Sequence, residues 1–521
     1  MNECFTVAFA SYTPFSIAYI TINIWYCILR SVHCVQYFID NVLVVMHTPT
    51  FLWHDFETFG TSPQKDLPCQ FAAVRTDMDL NVVGKPINIM SAIANDYLPH
   101  PEACLVTGIT PQQTIRDGSN EADFAAKIYH EMSTPNTCSV GFNSIRFDDE
   151  VSRYLFYRNF YDPYSREWRN GNSRWDIIDV ARACYALRPD GINWPLREDG
   201  SPSFRLEALT AANNIGHDNA HDALNDVYAT ISLAKLIKEK QPRLFDYALS
   251  LRNKHTVMQQ IDLSKPSVLL HISSKLPASQ GCCTWVMPIA KHPTNSNAFI
   301  VIDLSHDIDS VLNDSADEIK QALYAPSDTY DDARERPGLK LIHVNRSPFI
   351  TTAKAMTEDN AQRLGLDRER CLDNYKKLAS TPDLVSKIVA IYEEERHSSE
   401  LDIDHALYSG GFLSDEDRRW CENVINAKPE DLATFGDKTQ HEGLKKLLFR
   451  YRARNYPNTL SADEMTKWQY HRQARLTDPD FHGSITLETY MMRLESLAHE
   501  HSDNPEKQAI LRALYQYAEN L

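Results

Sequence analysis

The stretch Phe51-Leu52-Trp53-His54-Asp55-Phe56-Glu57-Thr58 constrains this chain more than any other. Its aromatic and apolar residues suit a β-strand, whose side chains alternate between two faces. Asp55 and Glu57 therefore project side by side from one face. Two neighbouring carboxylates repel, and one takes up a proton unless a cation intervenes. Their hard oxygen donors make Mg²⁺ or Mn²⁺ the natural guest. Short motifs arise often by chance, and an isolated Asp-x-Glu is more commonly an exposed acidic strand end. The rest of the chain decides between the two.

At 521 residues the chain has room for two to four domains of roughly 100–200 residues. A net charge of −17 argues against indiscriminate binding to polyanions, so a nucleic-acid site must be a local basic groove. The 11 cysteines form no Cys-x-x-Cys pair, which fits a reducing compartment such as the cytoplasm and argues against a disulfide framework or a zinc site. Residues 1–45 stand apart. From Cys4 to Leu29 there is no charge, a length that would span a bilayer. Yet the segment is rich in Thr, Ser, Tyr and Asn, contains Pro14 and has no basic flank before it. A spurious extension, with translation starting at Met46, is the expectation; a membrane anchor is the alternative.

After the first strand, Gln70 to Arg75 and Asn81 to Ile89 read as two more strands of a meander. A helix follows near Glu121 to Met132, then a short buried strand from Thr137 to Gly141. Asn143 is expected to cap a helix starting near Phe147, with Asp148, Asp149 and Glu150 in its first turn. Helices are expected over Ile177 to Ala186, Phe204 to Asn213 and Asp222 to Lys240, with a Pro/Gly/Asp-rich loop from Pro189 to Pro202. Alternating strands and helices give an α/β domain over residues 46–240. Ser267–Ile272, Cys283–Ile289, Ala298–Leu304 and Leu339–Val344 suggest a β-rich domain over 241–395, with Asp303 to Arg336 as an acidic, loop-like solvated face. Residues 396–521 read as helical, with runs at Asp415–Ala427, Gly443–Arg454, Ala462–Arg475 and Ile485–Glu519. Another helical run, Pro382 to Glu395, precedes them.

Four further features join Asp55 and Glu57. Gly141 to Asp148 is a strand-to-turn segment delivering a carboxylate at a helix start. His221-Asp222-Ala223-Leu224-Asn225-Asp226 follows, where helical periodicity alone pairs Asp222 with Asp226 and leaves His221 as a cap. Phe204-Arg205-Leu206-Glu207 carries an arginine that could be a simple surface charge. Finally, Tyr154 to Trp175 interleaves eight aromatics with Arg158, Arg166, Arg169 and Arg174. That pattern suits single-stranded nucleic acid, whose bases stack and whose phosphates need cations. It equally suits a helix packing its aromatics into a core.

Taken in order, Asp55-x-Glu57, Asn143 with Phe147-Asp148, and His221-x4-Asp226 resemble the DEDD exonucleases of the RNase H-like superfamily, in the subgroup with a catalytic histidine. Segments such as His54–Gly60, Phe156–Tyr164, Ala183–Pro189, Pro202–Glu207, Gln241–Tyr247 and Tyr451–Asn455 extend the resemblance to the bacterial exodeoxyribonuclease I family over Met46 to Leu521. The resemblance implies an RNase H-like exonuclease domain, then an SH3-like β-rich domain and an all-helical C-terminal domain. It implies processive 3′-to-5′ hydrolysis of single-stranded DNA to 5′-mononucleotides, in DNA repair and recombination. Asp55, Glu57, Asp226 and Asp148 would hold two Mg²⁺ ions, with Mn²⁺ as the alternative. His221 would be the general base, and Asp148 and Glu57 would share in catalysis. Glu57, Arg205, Arg153, Arg182 and Tyr185 would meet the substrate. Gly443 to Arg475, with eight Lys/Arg against two Asp/Glu and Phe449, Tyr451, Tyr456, Trp468 and Tyr470 among them, reads as the required basic patch. The family also implies a monomer whose basic residues receive the acidic tail of single-stranded DNA-binding protein. An RNA 3′-exonuclease of the same superfamily is disfavoured by the long chain after the nuclease domain. A catalytically dead binding protein is disfavoured by the complete acidic set.

Overall fold

The structure, a computed structural model, describes residues 48–216, 222–265, 267–325, 336–393, 402–409 and 411–521. The expectation for residues 1–45 lies outside the described residues. Among the described residues no helix is long and apolar enough to cross a membrane.

Strand β1 (Thr50–Thr58) lies at the centre of the first sheet, between β2 (Pro68–Thr76) and β4 (Thr137–Gly141), with β3 (Ile87–Met90) and β5 (Ser173–Asp176) at the edges. β3, β2 and β1 pair antiparallel, whereas β1, β4 and β5 pair parallel. Alternation along β1 divides the domain. Leu52 and Phe56 pack with Phe124, Ile128, Val151 and Leu155 of the helices Glu121–Ser133 and Asp148–Arg158. Phe51 and Trp53 face the other way, onto Trp175 and the helices Ile177–Leu187 and Ala223–Lys240. Helices on both faces of a mixed sheet are what an α/β sequence pattern requires.

Two expectations need correction. The segment expected from Asn81 to Ile89 forms a strand only over Ile87–Met90. Leu80 and Gly84 adopt positive φ, and the Asp77 carboxylate accepts the amides of Asp79 and Asn81, so the chain turns here and Val82 makes only an isolated bridge to Thr76. The aromatic run after Tyr154 is not one helix. The helix stops at Arg158, and Ser173–Asp176 is the edge strand β5.

The second sheet is wholly antiparallel, in the order β10-β6-β7-β8-β9, built from β6 (Leu269–Ile272), β7 (Cys283–Lys291), β8 (Ala298–Asp303), β9 (Leu339–His343) and β10 (Phe349–Thr352). Four of the five match the apolar runs read from sequence; β10 is too short for alternation to reveal. Of the loop expected from Asp303 to Arg336, residues 326–335 lie outside the described residues, and the described part is not simply a solvated loop. Ser315 and Glu318 form a capping box that starts the helix Ala316–Tyr324, and Val311 and Ile319 are buried.

The last third is helical, including Asp415–Ile425, Glu442–Asn455, Ala462–Thr477, Leu487–Glu500 and Pro505–Glu519. It packs directly on the first domain. Phe59, Tyr97 and Cys104 share an apolar cluster with Tyr490, Leu511 and Leu514, and Phe160 packs with Trp420 and Tyr451.

Candidate active site

Asp55 and Glu57 lie on the Phe51/Trp53 face of β1, the face covered by the helix Ala223–Lys240. Asp226 in that helix's first turn therefore meets them. Carboxylate oxygens of Asp55, Glu57 and Asp226 all lie within 4.8 Å of one another. Asp222, which periodicity left open, caps the helix by accepting the amides of Leu224 and Asn225. His221 lies outside the described residues.

Asp148 arrives by another route. Its Oδ1 accepts the backbone amide of Phe56 at 3.0 Å, which seats it at β1 between Asp55 and Glu57 in the chain. Contrary to the sequence expectation, Asn143 does not cap this helix. Phe147 occupies the N-cap position without a side-chain hydrogen bond, and Asn143 sits in a left-handed turn with φ 62. The turn is held instead by Asp176 of β5, whose carboxylate accepts the amides of Asn143 and Ile145 at 2.8 and 3.1 Å. Gly141 is required where β4 enters this turn: a Cβ there would lie 2.6 Å from the Ser144 Cβ and 3.0 Å from the His54 carbonyl oxygen. Sequence reasoning missed Asp176, although an aspartate directly before Ile177-Ile178 is an N-cap signature.

Within the cluster the carboxylates raise one another's pKa. Burial, then Asp148, Glu57 and Asp226, push the Asp55 carboxyl well above the usual range. Glu57 is raised to about 8, by burial and then by Asp226 and Asp148. Asp148 is also raised to about 8, mainly by burial, against the favourable Phe56 amide. Such a donor set fits a hard divalent cation, which would relieve both burial and repulsion.

Asp55 and Asp226 line a cavity of about 1000 Å³, and Arg182, Arg197 and Arg205 stand on its wall. Arg205 is exposed, whereas Arg182 is buried beside Phe204 with one guanidinium nitrogen on Asp179. Tyr185 is one layer back: its ring meets Phe204 and Trp194 and carries the Arg363 guanidinium 4.8 Å from its centroid. Arg153 is not in this cavity. Its guanidinium donates to Glu167, Glu150 and Tyr408 on the wall of a second cavity of about 2100 Å³.

The basic patch from Gly443 to Arg475 also needs correction. Arg450, Arg454 and Arg475 turn inward onto Asp96, Asp402 and Asp404, and Arg452 pairs with Glu464. Lys446 and Lys467 remain exposed. In the Tyr154–Trp175 run, Arg158 pairs with Glu121, and Arg166 and Arg174 pair with Asp149. Tyr164, Trp168 and Arg169 line the larger cavity, Trp168 being 67% exposed.

The mixed sheet gathers four carboxylates from three separate segments, an arrangement that suits metal-assisted phosphodiester hydrolysis. The Exonuclease family model matches residues 52–234, the Exonuclease I SH3-like domain model residues 252–394 and the Exonuclease I C-terminal domain model residues 401–521. Exodeoxyribonuclease I of Escherichia coli (strain K12) is 48% identical over 473 residues, covering 91% of this chain and 98% of that protein. The structure of E. coli exonuclease I with a dA16 oligonucleotide superposes with a TM-score of 0.87 at 47% identity, over 91% of this chain and 100% of that one. The zinc-bound E. coli exonuclease I–ssDNA complex matches at 0.86, with 47% identity over 91% of this chain and 99% of that one. A complex of SSB and exonuclease I with the inhibitor CFAM matches at 0.84, with 46% identity over 91% of this chain and 100% of that one. The chain belongs to the exodeoxyribonuclease I family.

Proposed function

We propose that this chain degrades single-stranded DNA processively from its 3′ end, releasing 5′-mononucleotides, with Mg²⁺ as its physiological metal. The observation that carries this reading is the convergence of Asp55, Glu57 and Asp226 within 4.8 Å, with Asp55 and Asp226 on a cavity also walled by Arg205 and Arg182.

Asp55, Glu57 and Asp226 would hold the divalent cations, with Asp148 completing the acidic set. Bound there, the cations supply the charge that makes water nucleophilic and stabilises the departing 3′-oxygen. Arg205 and Arg182 offer planar guanidinium groups to the terminal phosphate, which orients the phosphodiester for in-line attack. His221, by resemblance, takes the proton from the attacking water as general base. Glu57 would meet the same terminal nucleotide, by family resemblance. Tyr185 supports the Phe204 wall, and Arg153 belongs to the second cavity.

That larger cavity supplies what a strand needs on its way in. Trp168 and Tyr164 present aromatic rings, while Arg169, Arg252, Lys254 and Arg346 supply positive charge in an acidic protein. Its walls come from all three domains, so a strand within it is held by the whole molecule and slides onward after each cut. By family likeness the chain acts as a cytoplasmic monomer on domains bounded near residues 46–240, 241–395 and 396–521, with single-stranded DNA-binding protein as partner.

A 5′-labelled single-stranded DNA oligonucleotide with Mg²⁺ tests the reading. A ladder shortening from the 3′ end, abolished by EDTA and by Asp226→Ala and His221→Ala, is the expected outcome. Binding without cleavage of DNA, with cleavage of RNA, would overturn the substrate assignment.

A further inference from the structure

Three carboxylates open the helix Asp148–Arg158, and each goes a different way. Asp148 joins the acid cluster. Glu150 accepts from Arg153 and from Tyr408 of the C-terminal region. Asp149 is only 1% exposed and receives Arg166 at 2.7 Å on one oxygen and Arg174 at 2.9 Å on the other. A buried carboxylate with two guanidinium partners is rigidly placed, because moving it strands a charge.

Arg174 does not end there. Its other terminal nitrogen donates to the Asn345 carbonyl at 2.9 Å, and its own carbonyl accepts the Ser347 hydroxyl at 2.9 Å. Asn345 to Ser347 is the turn between β9 and β10 of the second sheet, with Ser347 in a left-handed conformation at φ 44. Asn345 and Arg346 also line the larger cavity, and Arg346 lies 3.8 Å from Glu150. One turn therefore touches the cavity through its side chains and grips Arg174 through its backbone and Ser347. Arg174 grips Asp149, the residue adjoining Asp148.

We propose that the Asn345–Ser347 turn couples occupancy of the larger cavity by a polynucleotide to the placement of Asp148, with Arg174 and Asp149 as positioning residues, so that a threaded strand tightens divalent-cation binding at the acid cluster. The proposal rests on the reading that the larger cavity takes the strand. Coupling of this kind is reciprocal, and typically changes affinity about 5–150-fold.

The test measures Mn²⁺ binding by the loss of the free-ion electron paramagnetic resonance signal. The protein is taken alone, with a cleavage-resistant phosphorothioate trinucleotide, and with a phosphorothioate oligonucleotide of about 20 nucleotides, longer than ordinary single-strand sites of ~4–16. The trinucleotide reports what a terminal phosphate does directly; the extra tightening by the long strand reports the coupling. Wild type is expected to bind Mn²⁺ about 5-fold more tightly with the long strand than with the trinucleotide. Ser347→Ala, far from the metal, is expected to keep the trinucleotide value and lose most of the extra tightening. Arg174→Lys, checked for folding by its melting curve, should do the same. Equal Mn²⁺ affinity with short and long strands in wild type, or an unchanged difference in Ser347→Ala, would overturn the coupling. Failure of wild type to bind the long strand more tightly than the trinucleotide, read by fluorescence anisotropy, would instead overturn the reading of the larger cavity.

Discussion

Asp148 and Asp404 are both buried aspartates at the start of helical segments, and they have opposite fates. Asp148 lies close enough to Asp55 and Glu57 to raise both, and its own carboxyl is pushed up to about 8, by burial first. Asp404 stands with Arg450, Arg454 and Arg475, which hold it well below the usual carboxylate range despite its burial. Arg454 and Arg475 reach on to Asp96 of the first domain, so that network fastens the C-terminal helices to the nuclease domain. Burial alone says little about a carboxylate; its partners decide. Carboxylates set among arginines make a joint, whereas carboxylates set among one another make a site that suits a cation.

The largest effect that separates the two regions is on catalysis. Asp226→Asn should lower the rate of 3′-end degradation by a factor of at least ~10³, about 4 kcal/mol of transition-state stabilisation. Its melting temperature in EDTA should match or exceed that of wild type, because repulsion has been removed. Asp404→Asn should show the reverse pattern, losing about 3–5 kcal/mol of unfolding free energy in urea while keeping its Mn²⁺ affinity. A stable Asp404→Asn protein would break the comparison. Next in size, adding Mn²⁺ at 100 times its dissociation constant should stabilise wild type by about 2.7 kcal/mol, read by melting. The increment should vanish in Asp226→Asn.

The smallest effect is on pH dependence. Glu57 has a folded pKa of about 8, above its ordinary 4.5, so between those values the folded state binds more protons than the unfolded. Its ionisation therefore costs metal-free stability near pH 8, and the cost disappears as pH falls toward 4.5. The advantage of Glu57→Gln over wild type in EDTA should shrink by about 1 kcal/mol or more between pH 8 and 5. Asp404 has the opposite sign: its depressed pKa gives stability fully present above 3.8 and lost only as pH falls below it. The Asp404→Asn deficit should stay constant over the same range.

Local pattern carried much of this to the reader of the sequence. Alternation along β1 put Asp55 and Glu57 on one face, and chain order aligned Asp148 and Asp226 with them. It could not choose Asp226 over Asp222, because a helical face offers both; the choice depends on a strand far away in sequence. The basic run from Gly443 to Arg475 was misread for the same reason. Its arginines are visible, but Asp96, the partner of Arg454, lies 358 residues away. Asp176 and Asp149 escaped because one sits in a four-residue strand and the other looks like any acidic residue at a helix start.

The parallel pairing of β1 with β4 and the late helix bearing Asp226 also fix when this protein becomes an enzyme. Synthesis at ~5–20 residues per second delivers Asp226 roughly 10–30 s after Asp55. Arg454, which fastens the C-terminal helices to Asp96, follows later still. A chain still on the ribosome with only β1 made carries Asp55 and Glu57 but neither Asp148 nor Asp226, so under the metal-holding role proposed for these residues it would stay inert until its first domain is complete.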